Sequence, residues 1–299
     1  MSSGVQLALS DKHIEEATAV PETTEDSAAV VAEASDDRAA WWHRVSSVAG
    51  KGVRVSLVLL VLALIWEVAP RIGAVDPTFL PPASTVAQAL WELIGNGQLW
   101  QHVSASLSRA LAGYLIAVAI GIPLGLLIGW YRLVAQWLNP ALELFRNIAP
   151  LALLPVFVLV LGIGETSKVA LVVYACLFPI LLNTISAVRD VDPLLIKSAR
   201  SLGLSPARLF AKVVLPASLP TIFTGLRLSA AASILVLIAA EMVGAQSGLG
   251  FLIMASQLSF QIPEMYAGIV AIAVVGVIFN AVLVLIERYF TRWRVDPGH

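Results

Sequence analysis

Three stretches of this sequence, 110–131, 169–188 and 265–286, each run for at least 20 residues without an Asp, Glu, Lys or Arg. Lipid offers no partner to a backbone N–H or C=O, so a run of about 20 apolar residues crosses a bilayer only as a helix. A fourth uncharged run, 147–164, joins 133–146 in a longer span that Pro140, Pro150 and Pro155 should kink or interrupt. Two further spans are weaker. One, around 55–66, needs Arg54 and Glu67 at its interfaces and ends at Pro70; the other, 219–244, contains Arg227 and Glu241. The sequence therefore predicts an all-α integral membrane protein with six transmembrane helices at about 53–70, 108–131, 134–164, 167–188, 219–244 and 265–288. Charged residues make up 13% of the 299, against about 25% in a soluble domain. That supply cannot coat a particle of this size in water, which excludes an ordinary soluble enzyme or a nucleic-acid-binding chain. A single cysteine, Cys176, excludes a disulfide framework and a multi-cysteine metal site.

Charge divides the chain unevenly. Residues 1–40 hold nine carboxylates against Lys12 and Arg38, whereas the remaining 259 residues carry a net +6. Residues 1–45 read as an acidic, solvated, disordered cytoplasmic tail with neither the basic start nor the early apolar run of a secretory signal. Residues 46–299 read as the membrane domain. With the N-terminus inside, Arg132, Arg189, Lys197, Arg200, Arg208, Lys212 and Arg288 all fall on the cytoplasmic side. Arg71, Lys168 and, near the interface, Arg109 fall outside, the bias that positive loops impose. Both termini are expected in the cytoplasm. On the outer side, Pro82 or Ser84 is a start signal for a short helix through 87–94.

The largest basic loop, 189–216, lies between the fourth and fifth spans. Asp192-Pro193 reads as an N-cap with proline at the first helical position, opening a helix over 194–202 that Gly203 ends. Ser205-Pro206 repeats the signal for a second helix over 207–214, closed by Leu215-Pro216. The expected knob leads with Ile196, Ala199, Leu202 and Leu204, apolar side chains that a lone monomer does not normally leave in water.

The spacing in this loop is more specific than its charge. Lys197-Ser198-Ala199, three residues, Gly203, nine residues, then Val213-Val214-Leu215-Pro216 resembles the EAA loop of binding-protein-dependent ABC importer permeases. Lys197 stands where that pattern has Glu, which reverses the charge of one contact; Ser198 and Val213 replace an Ala and an Ile. From about residue 79 to 294 the resemblance is to the sulfonate, taurine and nitrate branch, carried by Phe79-Leu80-Pro81-Pro82, Leu161-Gly162-Ile163-Gly164-Glu165, Thr224-Gly225-Leu226-Arg227 and Ala240-Glu241-Met242. The resemblance implies a type I importer fold in the bacterial inner membrane. It also implies that Lys197, Ser198, Ala199, Leu202, Gly203, Leu204, Leu215 and Pro216 couple to a cytoplasmic ABC ATPase dimer, which binds the ATP and Mg. A second permease copy completes the path, and a periplasmic or lipid-anchored binding protein delivers the substrate. No G-x-x-x-x-G-K-[ST] phosphate loop is present: Gly50-Lys51-Gly52 has Val45 where the first glycine belongs. No catalytic, cofactor-binding or metal-ligating set is expected on this chain.

Ionisable groups inside spans are costly and are functional candidates by default. Arg146 has two readings: an i, i+3 ion pair with Glu143, or a guanidinium that attracts an anionic substrate to the midplane. Arg227 reads as snorkelling or pairing between spans, and Glu241 as helix packing or gating near the outer end. Asn183 and Asn280 read as bridges between helices. Gly121, Gly125 and Gly129 form a small-x-x-x-small stripe for close helix approach, within one subunit or between two. An ion-gradient-driven carrier is the rival reading, disfavoured by six spans without an evident inverted repeat.

Overall fold

The computed structural model describes residues 57–58 and 60–291, and within them all regular structure is helical. The acidic tail predicted over 1–45 and the start of the first span lie outside the described residues. The chain divides at Trp66/Glu67, with one compact unit beginning at Glu67. The first span is helical where it is described, with α1 over 60–71. Next come α2 (Ala83–Gly95), α3 (Gln98–Trp130) and α4 (Arg132–Arg146); a 3-10 turn (Pro150–Leu153) leads into α5 (Leu154–Leu161). Then follow α6 (Glu165–Arg189), α7 (Pro193–Ser201), α8 (Pro206–Leu209), α9 (Leu215–Gly244), α10 (Leu249–Leu258) and α11 (Ile262–Phe290).

At 33 residues, α3 is about 50 Å long at 1.5 Å per residue, more than the ~30 Å hydrocarbon core requires. Among the described residues, four helices are long and apolar enough to span: α3, α6, the continuous stretch Pro206–Gly244, and α11. The predicted third span is present as a broken pair, α4 and α5, bent by 83°. Of its three prolines, Pro150 opens the 3-10 turn at the break, while Pro140 lies inside α4 and Pro155 in the first turn of α5. The short helix α2 starts directly after Pro82, as expected from sequence, and Ser84 Oγ and N–H both donate to Glu67, at 2.9 Å each.

The glycine stripe is used inside the subunit. A Cβ on Gly113 would sit 2.7 Å from Val172, one on Gly125 2.6 Å from Thr184, and one on Gly129 2.8 Å from Val188, so α3 lies against α6 almost backbone to backbone. Gly225 of α9 gives the same approach to Asn183 of α6 (2.6 Å). Apolar residues cannot draw helices together in lipid as they do in water, so contact of this kind is what packs the bundle. Ala117, Val172, Cys176, Ile180 and Leu237 fill the seam between α3, α6 and α9, and the Tyr114 hydroxyl donates to the Leu226 carbonyl at 3.0 Å.

One consequence is directly measurable. Gly125→Val should cost about 1–3 kcal/mol through overpacking and lower the Tm of the detergent-purified protein by several degrees. Gly276→Val, whose new Cβ meets only Ile234 at 4.0 Å, should leave it close to unchanged.

Candidate functional site

The loop between α6 and α9 folds as a helix, a tight reversal and a second helix. Asp192 caps α7 by accepting the Leu194 N–H at 2.8 Å, with Pro193 in the first turn where its missing donor costs nothing. At the other end Gly203 has φ +75°, the left-handed backbone that glycine adopts without a Cβ penalty. Its N–H donates to the Arg200 carbonyl (2.9 Å), and the Leu204 N–H donates to Ala199 (3.3 Å). These two bonds form a Schellman cap, which fixes the reversal geometrically. Lys197, Ser198 and Leu202 are exposed, Ala199 is buried, and Leu204, Leu215 and Pro216 are half-buried.

Two expectations for this loop need correction. The second helix does not close at Leu215-Pro216: α8 passes through a π-helical turn, Phe210–Val214, and continues unbroken into α9. Pro216 has no N–H to give to the carbonyl four residues back, and a widened turn just before it accommodates that loss without ending the helix. The leading face also differs. Ile196 packs inward on Val188, Val191 and Val214, and Ala199 is buried, so the exposed apolar residues are Leu194, Leu195 and Leu202.

Of the intramembrane candidates, Arg146 and Asn183 come together. Both line a cleft of about 450 Å³ with Asn147, Tyr174 and Phe178, at the break between α4 and α5. Arg146 pairs with Glu143 at 3.3 Å, and both side chains are well exposed. The Asn183 amide donates to the Pro179 carbonyl at 2.8 Å, leaving its oxygen toward other partners. Tyr174 donates to the Phe145 carbonyl (2.8 Å) and so holds the end of α4 against α6. Arg227 lies elsewhere, paired with Glu287 at 3.1 Å, which ties α9 to α11.

Glu241 is fully buried in a polar network that the sequence did not reveal. Its carboxylate accepts from Arg109 (2.7 Å), from Ser106 Oγ (2.9 and 2.8 Å) and from the Gly250 N–H (3.0 Å). Arg109, expected near the interface, is 6% exposed and also pairs with Glu165. It donates further to the Ser247 carbonyl (2.6 Å) and hydroxyl (2.9 Å). The network binds α3, α6, α9 and the turn before α10 at one point. A run of uncharged residues stops at the first Arg it meets, so Arg109 looked like a boundary. The Gly248-Leu249-Gly250 spacing was the available signal for α10, because a Cβ on Gly250 would collide with Ile238 and Glu241.

A bundle of long apolar helices, one of them broken, with a capped helix-turn-helix between two spans, defines a polytopic membrane component of a transport system. Residues 121–295, more than half the chain, match the family described as the binding-protein-dependent transport system inner membrane component, and the chain belongs to that family. It is 36% identical over 238 residues to the "Putative aliphatic sulfonates transport permease protein SsuC" of Bacillus subtilis, covering 80% of this chain and 86% of that one. It is 36% identical over 240 residues to the "Taurine transport system permease protein TauC" of Escherichia coli, covering 79% and 87%. The "Nitrate import permease protein NrtB" of Leptolyngbya laminosa is 35% identical over 208 residues, covering 66% and 74%. Among solved structures, an inward-facing form of the MetNI methionine ABC transporter shares the fold at TM-score 0.57 and 20% identity, over 64% of this chain and 94% of that one. The chain is thus a multi-pass ABC importer permease subunit of the inner membrane and not an enzyme.

The buried network yields its own test. Glu241→Ala leaves Arg109 with Glu165 and Ser247 but removes the buried acceptor of the Gly250 N–H, and should cost about 1–3 kcal/mol, read as a loss of folded protein by detergent size-exclusion and a lower Tm.

Proposed function

We propose that this permease forms the path for a small organic or inorganic oxyanion, an aliphatic sulfonate or taurine before others, driven by ATP hydrolysed on a separate subunit. The observation that carries the ATP-driven part is the Schellman-capped loop. Gly203 sits at the separation from Leu215-Pro216 that the EAA pattern requires, and at φ +75° its two capping bonds define the reversal. In this reading Lys197, Ser198, Leu202 and their neighbours seat on a dimer of cytoplasmic ABC ATPases that bind ATP and Mg. A second copy of the chain completes the path within the membrane lipid, and a periplasmic or lipid-anchored binding protein loads it. Both termini then lie in the cytoplasm.

The substrate class rests on the named relatives and on the cleft at the α4–α5 break. A sulfonate presents three oxygens, and the planar guanidinium of Arg146 matches two of them better than a lysine would. The relative named for nitrate import favours one specific alternative, the inorganic oxyanion, and direct competition decides between them. Nitrate that displaces a labelled sulfonate from the co-expressed binding protein at equal concentration would move the assignment.

Coupling is tested by copurification of the permease with its ATPase. Gly203→Val forces a β-branched residue into left-handed backbone, at roughly 1–2 kcal/mol, and should abolish retention of the ATPase through detergent purification. Gly203→Asn tolerates that conformation and should keep it; equal retention by both variants would overturn the coupling assignment. For the path, Arg146→Gln in proteoliposomes should lower the rate of sulfonate uptake by about tenfold or more, on the order of the 1.4 kcal/mol of one charge-assisted bond, with ATPase assembly unchanged.

A further inference from the structure

Where α3 ends and α4 begins, two arginines from different helices border one cleft. Arg132, the first residue of α4, and Arg189, the last of α6, line a space of about 610 Å³ together with Gly129, Trp130, Gln136 and Asn139. Both are exposed, and neither guanidinium has an ion pair or side-chain hydrogen bond among the described residues. In contrast, Arg71, Arg109, Arg146 and Arg227 are each paired with a carboxylate. Two unneutralised guanidiniums on one cleft wall, flanked by two side-chain amides, suit a singly charged phosphodiester.

A second hollow shares a lining residue, Trp130, with this one. An apolar groove of about 520 Å³ runs between the end of α3 and the start of the Pro206–Gly244 helix, lined by Pro123, Leu126, Leu127, Trp130, Pro206 and Phe210. Trp130 lines both spaces, and its ring meets Phe210 edge-on at 5.0 Å. A charged cleft and an apolar groove that share one tryptophan at a helix end are the outline of an amphiphile with an anionic head. A soluble oxyanion would leave the groove unused.

We infer that the paired hollows at Trp130 hold one anionic phospholipid of the inner leaflet, its phosphodiester between Arg132 and Arg189 and an acyl chain along the groove. Basic pockets between helices at a cytoplasmic membrane face recognise such headgroups. The inference rests on the cytoplasmic placement of these helix ends in the proposed function. The lipid sits beside the root of the coupling loop, since Phe210 belongs to the π turn that leads from α8 into α9.

The test uses the full chain with its ATPase, exchanged into phosphatidylcholine nanodiscs containing phosphatidylglycerol, and counts retained lipid by native mass spectrometry. Wild type should retain one phosphatidylglycerol. Arg132→Gln/Arg189→Gln should reduce its occupancy at least tenfold, and Arg132→Lys/Arg189→Lys should retain an intermediate share. Arg288→Gln, which removes a cation from the end of α11, should change nothing. Equal occupancy in wild type and the double Gln variant overturns the proposal, as does displacement of the lipid by millimolar inorganic phosphate, which would make this a free-anion site. ATPase copurification is read in the same samples. Its loss in wild type would sink the importer assembly, whereas a lipid result alone bears only on the site at Trp130.

Discussion

Backbone-to-backbone contact between α3 and α6 sets where everything else in the bundle can lie. Lipid competes equally for every apolar side chain, so long helices associate where they interlock and exclude lipid tails. Gly113, Gly121, Gly125 and Gly129 leave Ala117 as the one Cβ on their stripe of α3, letting Val172, Ile180, Thr184 and Val188 of α6 settle into the gap. Gly225 brings α9 onto α6 by the same means, over Asn183. With α6 packed on two sides, both ends of the 189–216 loop are anchored on helices in direct contact with one another.

This anchoring changes the mechanics expected of the loop. Had the second helix closed at Leu215-Pro216, a joint would separate the knob from the fifth span. Instead the chain runs helically from Pro206 to Gly244, with a π turn absorbing the proline. Under the proposed function, a push on α8 would act directly on a helix that carries Glu241 near its far end. Ile196 and Val191, packed on Val188 and Val214, keep α7 from swinging independently.

Much of this was legible in the sequence because it depends on local chemistry. Uncharged runs placed the spans, since a charge in lipid is expensive; Asp192-Pro193 and Gly203 marked both ends of α7, since caps and left-handed turns are local requirements. What escaped was non-local. Arg109 looked like a boundary because only Glu241, 132 residues away, and Glu165 explain its burial. Pro216 looked like a stop because a π turn cannot be told from an ordinary one by composition. The inward turn of Ile196 and Ala199 depends on a surface that α6 and α9 supply together. In the candidate path, Arg146 and Asn183 were named separately, and nothing in their 37-residue separation put them on one cleft.

The ion pairs differ enough in setting to sort the membrane charges by what they can do. Arg109 is enclosed, shared between two carboxylates and bonded to Ser247 as well; opening that network would expose an unpaired charge to the interior, which costs several kcal/mol. Arg227 and Glu287 link two spans at an intermediate depth of burial. Arg146 and Glu143 are neighbours on one helix turn, 3.3 Å apart and 44% and 64% exposed, and such a pair contributes at most about 1 kcal/mol. An oxyanion approaching Arg146 thus meets a weak competitor, while one approaching Arg109 would have to displace a strong one. If Arg146 serves the anion path proposed above, its resting partner, being exposed and weakly held, can be exchanged without loosening the bundle.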